Sequence, residues 1–104
     1  MTQSELYHTL ALLQVEGVGD VIAKKLLQHF GNAEAVFASN KFQLQKIAGI
    51  GSVLIQNLQD KSVFTKAEAE LQFITNENVS IIYFQEENYP EHLKNCYDGP
   101  VLLF

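Results

Sequence analysis

The chain has 104 residues, 47% hydrophobic and 18% charged, with seven basic against twelve acidic side chains and a formal charge of −5. Its length fits one ordinary domain, or a small domain with part of a second, and its composition argues against a disordered chain. A single cysteine, Cys96, excludes a disulfide framework, and no apolar run nears the roughly 20 residues of a membrane span.

In chain order, the apolar residues up to about residue 77 recur at three- and four-residue intervals. Leu6, Leu10 and Leu13 predict a first helix, with Ser4 or Thr2 as its N-cap. Val21, Ile22, Leu26, Leu27 and Phe30 predict a second, closed by Gly31 as a C′ glycine. Further turns follow around Ala33 to Ala38. Phe42, Leu44 and Ile47 suggest a short third segment, and Val53, Leu54 and Leu58 continue after Gly51. A longer helix, Val63 to Thr75, carries Phe64, Ala67, Leu71 and Ile74 on one face.

The pattern then changes. Residues 79–84 are β-branched and aromatic and read as a strand. Tyr89-Pro90 opens a turn or a helical turn through His92-Leu93, with Pro90 holding the preceding residues extended. Tyr89 reads as a packing residue rather than a base-stacking platform. Gly99-Pro100 resets the chain before a second strand-like run, Val101 to Phe104, expected to pair with the first and to expose an edge. Four apolar residues at the C-terminus suggest the first part of a longer protein. The division expected is 1–77, helical, and 78–104, the start of a second domain. The N-terminus lacks the features of a signal peptide, so a soluble, cytoplasmic protein is expected.

One internal repeat stands out. Leu12 to Ala23 and Leu44 to Ile55 share the order apolar, any, Gly, apolar, Gly, polar, apolar, apolar around Gly17-Val18-Gly19 and Gly49-Ile50-Gly51. A separation of 32 residues leaves room for a helix, a tight turn and a second helix in each copy. This is a helix-hairpin-helix signature in tandem. The glycines reach turn angles closed to other residues, and the second glycine leaves a helix N-terminus bare, where free N–H groups can receive a phosphate. Gly17, Gly19, Lys24, Lys25, Gly49, Gly51 and Ser52 are therefore the candidate DNA-contacting residues, without base preference.

Charge argues the other way. Arginine is absent, residues 61–104 hold three lysines against seven acids, and Asp20 sits where the first phosphate would go. A protein-docking module without DNA contact is the rival expectation. Catalysis is not expected: His8, His29, His92 and Cys96 lack a metal-ligand spacing, and the Gly-x-Gly pairs lie between helices rather than after a strand. No cofactor is expected, and Cys96 reads as a small buried residue.

The tandem hairpins, then Asn88-Tyr89-Pro90, Leu93 and Asp98-Gly99-Pro100-Val101-Leu102-Leu103-Phe104, resemble the N-terminal part of the DprA (Smf) family of DNA-processing proteins. The resemblance implies a mainly α fold: a SAM-like tandem helix-hairpin-helix domain followed by the first strands of a Rossmann-like α/β domain. It also implies a role in natural transformation, binding and shielding incoming single-stranded DNA and helping to load a RecA-type recombinase. Gly99 separates Asp98 from Pro100, a variation on the family pattern, and the expected Lys-Gly after the last strand lies beyond Phe104. The hairpins by themselves would equally suit another DNA repair protein.

Overall fold

The computed structural model describes residues 2–96 and 98–104. Its elements are α1 (Gln3–Gln14), α2 (Asp20–Phe30), α3 (Ala33–Ala38), α4 (Lys41–Gln45), α5 (Ser52–Asn57), α6 (Ser62–Asn76), β1 (Ile82–Tyr83), α7 (Glu91–Lys94) and β2 (Leu102–Leu103). The fold is mainly helical and, among the described residues, its one sheet is a short two-stranded antiparallel pair at the C-terminal end.

Local chemistry explains most boundaries. Thr2, not Ser4, caps α1 by accepting from the Glu5 N–H, and Gly31 ends α2 at φ 96° with its N–H on the Leu27 carbonyl. Asn32 caps α3, so the turns expected around Ala33 form a true helix. Asn40 and Gln43 form a reciprocal capping box that holds the five-residue α4.

α1 is the central helix. It packs most extensively on α6 and also meets α2 and α3. Residues Thr9 to Leu12 are consequently buried in succession rather than on one stripe. Thr9 satisfies its hydroxyl locally by donating to the Glu5 carbonyl at 2.7 Å. Val101 and Leu102 join the same apolar core as Leu12, Leu26 and Val63, so the C-terminal segment is packed on the helices.

Both strands are shorter than the sequence pattern suggests. Ile82 pairs with Leu103 and Tyr83 with Leu102, and the Phe84 N–H adds one bond to the Val101 carbonyl. Val79 is not in the strand, because its N–H closes the end of α6. Asn78 stands at φ 53°, the Val79 N–H reaches the Ile74 carbonyl, and the Asn78 N–H reaches that of Thr75. That is the Schellman arrangement. At the other end, the Glu86 N–H turns back to the Tyr83 carbonyl and terminates β1.

Candidate nucleic-acid interface

The two glycine turns repeat one another bond for bond. In the first, the Val18 N–H donates to Val15 at 3.0 Å and Gly17 has φ 90°. In the second, the Ile50 N–H donates to Ile47 at 3.2 Å and Gly49 has φ 88°. Val18 and Ile50, each 7% exposed, plug the two turns. Gly19 and Gly51 are the N-caps of α2 and α5, extended at φ −93° and −94°, with no side-chain cap on either helix. A Cβ at Gly19 or Gly51 would meet nothing within 4 Å, so both helix starts are open at the cap position.

The turns also lie against each other's second helix. A Cβ on Gly17 would sit 3.3 Å from Leu54 Cδ1 on α5, and one on Gly49 would sit 3.8 Å from Ile22 Cδ1 on α2. Ile22 and Leu54 are themselves related by the 32-residue repeat. The two hairpins thus pack about an approximate two-fold relation, which brings both turns to one side of the molecule. Asn57 ties them, donating from Nδ2 to the Glu16 carbonyl at 2.9 Å.

Charge breaks the symmetry. Lys25 reaches from α2 to the second turn, its Nζ 3.6 Å from the place a Cβ on Gly49 would take, and Gly51 and Ser52 follow directly. Lys24 goes elsewhere: its Nζ contacts the Cys96 carbonyl at 3.5 Å and lies 5.6 Å from the centre of the Phe84 ring. Asp20 is likewise engaged, accepting the Val101 N–H at 3.0 Å. Of the seven candidate residues, Lys25, Gly49, Gly51 and Ser52 therefore form one neighbourhood. Gly17 shapes the adjoining turn, Gly19 precedes an acid already in use, and Lys24 faces the C-terminal segment.

That segment contributes what the sequence pattern did not single out. A groove of about 390 Å³ opens between α2 and the chain after β1, lined among others by Lys24, Lys25, Gln28, Phe84 and Lys94. No periodicity links Lys94 to Lys24, because only tertiary packing brings residues so far apart together. Beside the groove Tyr89 is 2% exposed and donates to the Pro100 carbonyl at 2.6 Å. Burial first, then the neighbouring Asp20 carboxylate, raises its phenol above the usual range. Burial first and the Glu5 carboxylate second push Tyr83 up to about 12. Cys96 is exposed rather than buried, its thiol donating to the His92 carbonyl at 3.4 Å; the short α7 turn leaves it outside the core.

Among the described residues no cluster of His, Cys, Asp and Glu could hold a metal ion, and no helix is long and apolar enough to cross a membrane. The family model of the SAM-like helix-hairpin-helix tandem matches residues 9–61, which contain both turns. Among curated proteins the chain is similar to Protein Smf of Synechocystis sp. (strain ATCC 27184 / PCC 6803 / Kazusa). The two are 27% identical over 104 residues, which is 100% of this chain and 26% of that protein. The chain spans about a quarter of the length of that relative. No solved structure matches the chain.

Proposed function

The chain belongs to the SAM-like helix-hairpin-helix tandem family, and on that premise we propose that it is the N-terminal, DNA-contacting part of a DprA-like DNA-processing protein. The observation that carries this reading is the pairing of the two turns, with Lys25 crossing from one hairpin to the turn of the other. Bare N–H groups beside one exposed lysine suit a phosphate and read no base. The second hairpin is the better candidate, since Ser52 replaces the acid that occupies the start of α2. The contact is accessory and non-catalytic. In the whole protein, shielding of incoming single strands, loading of a RecA-type recombinase and a cytoplasmic site of action follow from the family resemblance.

Fluorescence anisotropy with labelled single-stranded and duplex oligonucleotides tests this. Two or three phosphate contacts predict a loss of about tenfold in affinity between about 50 and about 200 mM salt. Lys25→Ala should weaken binding and lower the salt slope by about one. Binding that ignores both salt and Lys25 would overturn the reading.

A docking module is the second reading. Phe42 and Val53, on the two helices of the second hairpin, are 71% and 70% exposed on a chain of net charge −5. Under that reading no oligonucleotide binds at low salt while the fold stays intact.

A further inference from the structure

We propose that the groove between α2 and the segment following β1 binds one nucleotide unit of a single-stranded nucleic acid, phosphate against the lysines and base against Phe84. Three of the seven lysines, Lys24, Lys25 and Lys94, line this one groove, and no carboxylate residue is among its described lining. On a chain with twelve acids that concentration of cations is the opposite of the average surface. Its volume, about 390 Å³, falls within the range of small-ligand sites.

Phe84 supplies a ring in the wall, and Gln28 and Gln85 supply amide donors and acceptors for base edges. A cationic groove with an aromatic platform is the arrangement that holds single strands without sequence preference. Lys24 Nζ lies over the Phe84 ring, 5.6 Å from its centre, and makes one long contact of 3.5 Å to the Cys96 carbonyl; a base stacking on that face displaces it toward the phosphate. Among the described residues Lys94 makes long contacts, 3.4 Å to the Glu87 carbonyl and 3.9 Å to the exposed Glu91 carboxylate, which a phosphate would displace.

This site is separate from the turn face and does not depend on it; Lys25 is the one residue they share. The test is amide chemical-shift mapping on the isotope-labelled chain, titrated in turn with a tetrathymidylate, thymidine monophosphate and inorganic phosphate. The expected result is shifts at Lys24, Gln28, Gln85 and Lys94 with both nucleotide probes. Lys94→Ala should weaken tetrathymidylate binding about threefold to tenfold and lower the salt slope by about one. Phe84→Leu, with its spectrum otherwise native, should weaken it about fivefold or more. Shifts confined to residues 49–53 would overturn the groove and leave the turn contact standing, whereas groove shifts with silent turns would do the reverse. Shifts reproduced in full by inorganic phosphate, or unaffected by Lys94→Ala, would also overturn the proposal.

Discussion

Gly17 and Gly19, two residues apart, differ in what a side chain would cost. Gly17 is at φ 90° with Leu54 Cδ1 3.3 Å from a new Cβ, whereas Gly19 is extended and faces open space. Gly17→Ala should lose about 1–2 kcal/mol in urea denaturation, and Gly19→Ala should stay within about 0.5 kcal/mol of the parent. Lys24 and Lys25 are equally distinct despite being adjacent. One step along a helix turns a side chain by about 100°, so one lysine meets the second turn and the other the C-terminal segment. The sequence identified both as cations beside a helix start and had no means of separating them. Tyr83 and Tyr89 carry a pH dependence. Their folded-state values are raised, so the neutral phenols are favoured by folding and the associated stability is complete below about pH 10. It is lost as pH climbs from there toward about 12, the value for Tyr83. Phenolate absorbance should show this late step, and Tyr83→Phe should remove the part that extends toward about pH 12 while leaving that of Tyr89.

At the scale of elements, the helices follow from apolar spacing and caps, while the strands are shorter than the apolar runs that contain them. Val79 has the composition of a strand residue, yet its N–H is consumed by the Schellman closure of α6. β-propensity is a statement about a side chain on a half-buried surface, and a helix end offers Val79 such a surface as well as a sheet does. Asp20 also joins two elements. Its carboxylate serves the Val101 N–H, a contact spanning 81 residues, instead of receiving a partner at the start of α2. Asp20→Ala should leave that N–H unpaired, cost about 1–3 kcal/mol and accelerate hydrogen exchange at Val101. An unchanged exchange rate there would mean that the bond is not maintained in solution. Asn40→Ala, which removes half of the capping box, should cost about 1 kcal/mol and fray α4.

For the whole molecule, the repeat generates a two-fold arrangement from one chain, and the C-terminal segment then makes it asymmetric. Val101, with 0% exposure, is as buried as Leu12 and Leu26. The helices and the β1–β2 segment should therefore unfold together, with far-ultraviolet circular dichroism and tyrosine fluorescence tracing one coincident transition. Val101→Ala should lower both midpoints alike, by about 2 kcal/mol in stability. Two separate transitions would show that residues 79–104 are held independently of the helical core.

The tandem hairpins were legible from residues 12–23 and 44–55 alone, because a left-handed glycine, a plugging apolar residue and a bare helix cap are local requirements that only a few residues meet. Their count and spacing are properties of the sequence. What faces what is not. The reach of Lys25 across to Gly49, the engagement of Asp20 by Val101 and the gathering of Lys24 with Lys94 are all contacts between distant segments. They depend on how two hairpins and a short sheet share one core, and packing geometry of that kind leaves no periodic trace along the chain.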